Sequence, residues 1–217
     1  MTELIEVEGI NQLIRGLDEA NKKLVLRAAS DALTTTAFNA RTELIDTAKR
    51  EFDRPNKFTL GGFLVKKASF KKRPIESEVL IKDQQAQYLV FQVFGGVRRA
   101  GDYAATKQGV LLGVNQKLNK FGNFPQGPIR YLAIKTKFDF IIGPSEGRQR
   151  LPPGVYKRRG RGKNRRLIFQ AAFRDAARYK PDTLPFFEVI DKTFNKDFDN
   201  LFSKNFDKEF SRSNNWR

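Results

Sequence analysis

The sequence predicts an α+β fold in which a long amino-terminal helix and a carboxy-terminal helix pack on an antiparallel β-sheet, with long projecting loops. Three observations carry this. Leu24, Ala28, Leu33, Ala37, Ala40, Leu44, Ala48 and Phe52 recur at spacings of three to five, with no Pro or Gly between Lys22 and Phe52, which is close to helical period. Phe194, Phe198, Phe202, Phe206 and Phe210 recur at every fourth position in a second stretch, 183–211. Between the two lie short apolar runs bounded by Gly and Pro, the pattern of strands and turns. The whole chain, 1–217, reads as a single domain of this class.

At the amino terminus Leu4, Ile5 and Val7 form a short extended run broken by Gly9, and Ile10, Leu13, Ile14 and Leu17 take a helical spacing that leads into the long helix. At about 1.5 Å per residue that helix is roughly 45 Å long, so its stripe needs a sheet as neighbour, with the carboxy-terminal helix as the second. It stops at Arg54-Pro55, because proline disfavours helical geometry in the residue before it. Phe63 to Phe70 and Val79 to Ile81 read as an antiparallel pair with a wet, cationic edge from Lys66, Lys67, Lys71, Lys72 and Arg73. Gln84 to Phe94 is a short helix or a strand; the pattern fits both. Residues 97–128 hold five Gly and two Pro and read as a long loop, interrupted by an apolar patch from Val110 to Val114. Ile129 to Ile134, Phe138 to Ile142 and Leu167 to Phe173 are further strands, with Gly154 to Arg159 a fourth candidate. In the last helix each step of four residues overshoots a turn by about 40°, so the Phe stripe drifts by about 160° from Phe194 to Phe210. A straight groove covers the first three rings, and Phe206 and Phe210 rotate towards another surface.

Composition narrows the function classes. The chain has no Cys and no His, which removes thiolate chemistry, Ser-His triads and almost every zinc site. Carboxylates are scattered, and no Lys has an acidic residue two positions before it, so the acid-x-Lys element of restriction-type nucleases is absent. No catalytic, cofactor-binding or metal-binding residue is therefore expected. No run of eighteen apolar residues exists and the amino terminus is acidic, which predicts a soluble protein made in the cytoplasm.

The net charge of +17, from 41 Lys and Arg against 24 Asp and Glu, points to a polyanionic partner. Its most basic stretch is 148–166, where Arg148, Arg150, Lys157, Arg158, Arg159, Arg161, Lys163, Arg165 and Arg166 stand with no acidic residue among them. These nine are candidate contacts to DNA or another anion; the plainer reading is a solvated hairpin tip. Gly160-Arg161-Gly162-Lys163-Asn164 resembles a phosphate loop only superficially, since Lys157 stands where the first Gly is needed and no Ser or Thr follows Lys163. Arg98, Arg99, Phe121, Phe124, Phe206 and Phe210 are candidate subunit or partner contacts.

The order of local motifs resembles the minor tail protein Z, or tail-completion, family of tailed bacteriophages. An apolar strand and Gly (Val7, Gly9, Ile10) precede a long Ala-rich helix ending in Phe52-x-Arg54-Pro55-x-x-Phe58-Thr59, then Lys67-Ala68 entering a strand. Tyr88-Leu89 leads to Gly95-Gly96-x-Arg98, then Phe121-Gly122-Asn123-x-Pro125, Pro153-Gly154-Val155-Tyr156-x-Arg158 and Tyr179-x-Pro181. The aromatics at 121 and 156 depart from those the family more often carries, and so does the Phe-rich tail. The resemblance implies a non-catalytic virion protein of the phage neck without cofactors. It also implies a homo-oligomeric, hexameric ring around the DNA channel, joining the tail tube end and tail terminator to the head connector. Packaged DNA would be touched without sequence preference, and no membrane is involved. The competing class is a sequence-independent nucleic-acid-binding protein acting outside the particle, and a metal-dependent nuclease is a third.

Overall fold

The computed structural model describes residues 2–6, 17–102, 105, 109–115, 117–124, 140–143 and 151–214. The expected helix from Ile10 and strand from Ile129 lie outside them, as do Arg148 and Arg150. Where the sequence reads as one domain, two compact units stand out, Met1–Val93 with Asp182–Arg217, and Phe94–Pro181. The α+β class holds, with every strand pairing antiparallel.

The first unit is built on helix α1, Glu19–Glu51. It begins three residues before the apolar stripe because the Asp18 carboxylate caps it, accepting from the Asn21 amide at 2.8 Å. It ends at Glu51, and Arg54 takes a left-handed backbone, φ +49°, just before Pro55. A short helix α2 (Lys57–Leu60) follows, then strands β2 (Phe63–Lys66) and β3 (Glu76–Ile81), which complete a three-stranded sheet with β1 (Thr2–Glu6) in the order β1-β3-β2. Asp83–Phe94 is helix α3, with Gln85, Leu89 and Val93 buried at intervals of four; that spacing decides between the two readings left open by the sequence.

The carboxy-terminal helix α4 is Phe186–Asn214, starting three residues later than the expected 183 because Asp182 and Leu184 donate their amides to the carbonyls of Val93 and Gln92 and Pro185 intervenes. It runs antiparallel to α1. Arg27 Nη1 lies 3.7 Å from Glu209 Oε2, and twelve residues further along α1 the Asn39 amide donates to Asp197 Oδ2 at 2.7 Å, twelve residues back along α4. On the other side of α1, Arg41 donates to the Phe63 carbonyl at 2.9 Å and Thr34 Oγ1 accepts from the Ala68 amide at 3.1 Å, which ties the helix to β2. With neighbours on two sides, α1 buries a far wider arc than the predicted stripe: Val25, Leu26, Ala29, Ala32 and Thr36 are buried as well as Ala28, Leu33, Ala37, Ala40, Leu44 and Ala48. The six Ala residues in that set let α4 and the sheet approach closely. Phe63, Val79, Ile81, Leu184, Phe186, Ile190 and Phe198 fill the space between.

Five of the seven Phe rings of α4, from Phe194 to Phe210, form one continuous ladder, each stacked on the next with centroids 4.9 to 6.3 Å apart. Burial matches the predicted drift at Phe198 and Phe210, whereas Phe194 and Phe202, expected in the groove, are only half-buried. Phe198 is 7 % exposed and Phe210 is 48 % exposed, with Phe194, Phe202 and Phe206 half-buried.

The second unit holds two sheets. Strand β4 (Gly96–Arg99) pairs with β9 (Ala176–Tyr179), and β5 (Val110–Gly113), β6 (Phe140–Gly143), β7 (Gly154–Arg159) and β8 (Arg166–Arg174) form a four-stranded sheet in the order β5-β8-β7-β6. The stretch 97–128, expected as mostly loop around an apolar patch at Val110 to Val114, thus contributes to two strands, one of which, β5, is that patch. Each is four residues long, too short for period-2 alternation to show, and the partners lie more than fifty residues away. Gly95, Gly96 and Gly122 adopt positive φ, and Asn123 does not.

The core of this unit is small: Val155, Ala171 and Phe173, with Leu111 and Phe124 packed against them. Tyr156 stacks on Phe169 at 4.9 Å and donates its hydroxyl to the Pro152 carbonyl at 2.6 Å. Burial raises the pKa of that hydroxyl above its ordinary value of about 10. Folding therefore gains from a protonated Tyr156, a contribution present below pH ~10 and lost as the pH rises through the higher folded-state value. Tyr156→Phe is expected to cost about 1 kcal/mol at neutral pH through the lost hydrogen bond and to flatten the alkaline fall of the melting temperature. An alkaline fall as steep as that of the wild type, read by thermal melting across the range, would refute this account of Tyr156.

Candidate nucleic-acid interface

Strands β7 and β8 form a hairpin whose register places Arg159 opposite Arg166, Arg158 opposite Leu167, Lys157 opposite Ile168 and Tyr156 opposite Phe169. Residues opposite one another share a face, and successive pairs alternate. Lys157, Arg159 and Arg166 therefore lie on one face, while Arg158 and Leu167 share the other with the stacked Tyr156 and Phe169. The tip is closed by a single 3₁₀ turn, Gly162–Asn164. Gly160 enters it at φ +88°, where a Cβ would strike the Asn164 carbonyl, so the tip needs a glycine there. Every residue from Arg159 to Leu167 is exposed.

Among the described residues no carboxylate pairs with Arg159, Arg161, Lys163, Arg165 or Arg166. Two like charges directly opposite on a ladder are destabilising, so the Arg159/Arg166 pair is a cost to the isolated hairpin. An anion over that face removes the cost. Seven of the nine sequence candidates, Lys157 to Arg166, are thereby brought onto one projecting ribbon.

Charge is divided unevenly between the two units. Residues 94–181 hold 20 Lys and Arg against 4 Asp and Glu, and the rest of the chain holds 21 against 20. The second unit therefore carries +16 of the net +17. Sequence reading singled out the nine residues at 148–166 but missed Lys117, Lys120, Arg174, Arg178 and Lys180 as members of the same basic unit. The charge balance alone could have found them, had the unit's boundaries been known.

The other candidates are dispersed. Arg98, in β4, lies with its guanidinium 5.4 Å from the Tyr179 ring and its Nε buried without an acceptor, whereas Arg99 is exposed and its amide donates to Asp102 at 2.6 Å. Phe121 is half-buried in a turn closed by Asn119, whose side chain accepts from the amides of Phe121 and Asn123. Phe124 packs on the core of its own unit, so its ring is largely used within the chain. Phe206 and Phe210 end the α4 ladder in the other unit.

Among the described residues no three acidic side chains gather to hold a metal ion, and no helix is long and apolar enough to cross a membrane. Comparison of the chain with protein-family models, with curated proteins and with solved structures finds no match.

Proposed function

We propose that this chain is a structural protein of a phage neck, completing the tail and joining the tail tube end to the head connector as an oligomeric ring around the DNA channel, with the basic unit towards the DNA. The observation that carries the DNA-facing role is the charge division: +16 within residues 94–181 and near balance elsewhere. A particle component that must tolerate any DNA sequence is served by cations that meet phosphate and read no base, and the hairpin offers only such groups. Of its three rings, Tyr156 and Phe169 stack on each other and Phe173 is buried in the core, so the ribbon presents no free aromatic platform of the kind that binds single strands. The order of local motifs supports the neck assignment, with synthesis in the host cytoplasm and residence in the virion.

A second reading, a nucleic-acid-binding protein acting outside the particle, draws on the same charge. Native mass measurement of the isolated chain, paired with a salt titration of duplex binding, separates the two. A closed ring with weak, salt-labile duplex binding is the expected result. A monomer that binds duplex tightly by itself would transfer the assignment to the second reading.

A further inference from the structure

We infer a second phosphate-binding surface, in the first unit, on the turn between β2 and β3; the inference takes nucleic acid to be the polyanion, as in the reading above. Residues 66–73 hold Lys66, Lys67, Lys71, Lys72 and Arg73. Lys66 is tied to Glu78 at 2.8 Å, and the other four, all exposed, have no carboxylate partner among the described residues. Elsewhere in this unit Lys22, Arg27, Lys49, Arg50, Arg54, Lys192 and Arg212 are each paired with an acid. Outside the turn the unit has 16 basic residues against 20 acidic ones, so carboxylates are plentiful; Lys23, Lys57, Lys82, Lys196, Lys204 and Lys208 also lack a carboxylate partner among the described residues, but the turn gathers four such cations within seven residues.

The turn is also held in shape by groups other than its lysines. The Ala68 amide is fixed to Thr34. The Lys72 amide donates to the Ser69 carbonyl at 3.1 Å, and Arg73 Nη1 donates to the carbonyls of Phe70 and Lys72, both at 2.8 Å. Phe70 packs against the core with the Arg27 guanidinium 5.2 Å from its ring. Exposed on the turn are Lys67 and Lys71, whose ammonium groups lie 5.9 Å from the Phe38 and Phe70 rings, and Lys72; these are point charges that suit phosphate oxygens and read no base. The ligand class is the phosphodiester backbone of nucleic acid.

The test uses the full chain carrying Lys67→Gln, Lys71→Gln and Lys72→Gln, leaving Arg73 in place because it closes the turn. Binding to a short mixed-sequence duplex is followed by fluorescence anisotropy between about 50 and 200 mM salt. If each lysine meets one phosphate, the slope of log K against log salt becomes shallower by roughly 2 to 3, with an unchanged melting temperature. An unchanged slope and affinity in this variant, measured beside a hairpin variant that does lose binding, would overturn the second surface while leaving the proposed function standing. Absence of duplex binding by the wild type would overturn both. Loss of binding to vesicles rich in phosphatidylserine with no change in the duplex slope would assign the turn to a lipid surface, and so also overturn the inference.

Discussion

Replacing Ala40 with Phe is expected to abolish the cooperative thermal transition of the protein. Ala40 is fully buried within the arc of α1 that faces both the sheet and α4, so a larger side chain there has no open side to turn to. Extra methylenes in a packed core already cost about 1 to 3 kcal/mol. A whole aromatic ring is expected to cost an amount comparable with the ~5 to 15 kcal/mol by which a domain is stable. Ala37→Phe is expected to behave alike. Thr42→Phe, at an exposed position of the same helix, is the control and should melt within about 0.5 kcal/mol of the wild type. Circular dichroism melting decides the matter: a normal transition for Ala40→Phe would refute the packing of α1 between α4 and the sheet. Under the proposed function α1 serves as the strut of its unit, so soluble, folded variants are expected to lose ring assembly before they lose DNA affinity.

The second large effect is on binding without loss of fold. Neutralising Arg159, Arg161, Lys163, Arg165 and Arg166 together to Gln removes five exposed cations from the hairpin, none of which pairs with a carboxylate among the described residues. At about 0.9 in salt slope per phosphate contact, up to roughly 4 to 5 is lost, and duplex affinity at moderate salt should fall by at least ~100-fold. The melting temperature is expected to hold or rise slightly, since removing the Arg159/Arg166 repulsion relieves about 0.2 to 1 kcal/mol. Anisotropy titration together with thermal melting reads both sides. Retained affinity would remove the hairpin from the DNA-facing role, and a collapsed melting transition would show that the segment serves the fold.

What the sequence made legible follows the length and locality of each pattern. The helix from Glu19 to Glu51 repeats its stripe over many turns, so its existence was plain. Its first turn was missed because Asp18 and Asn21 mark it by capping and not by apolarity. The width of its buried arc was also hidden, since Ala and Thr at 29, 32 and 36 reveal burial only once a second neighbour is in place. The drift of Phe194 to Phe210 was geometry of a single helix and so could be worked out without partners. Strand β4 falls in a stretch that reads as loop, and β5 in one that reads only as an apolar patch, because their stabilising pairs, Arg98 with Ala177 and Leu111 with Phe173, join residues far apart in the chain. At the candidate interface the residue types were visible at once. Their sorting onto faces of the ribbon was not, because it depends on the register that sets Arg159 against Arg166 and Tyr156 against Phe169.

The packing of the half-buried Phe124 within its own unit was hidden for the same reason. An aromatic in a Gly- and Pro-rich stretch looks exposed until the small core of Val155, Ala171 and Phe173 is assembled beneath it. The ladder end at Phe210, by contrast, keeps an exposed ring next to the buried Glu209, which is held by Arg27 and Arg212.

The central claim is that this chain is a structural ring component at the junction of head and tail, with residues 94–181 lining the passage of DNA. Electron microscopy of purified particles, with the chain identified in them by mass spectrometry, tests it most directly. The account predicts density for this chain as a closed ring at the neck, its β7–β8 hairpins pointing into the lumen. A particle that lacks the chain, or a ring whose basic unit faces away from the DNA, would contradict it.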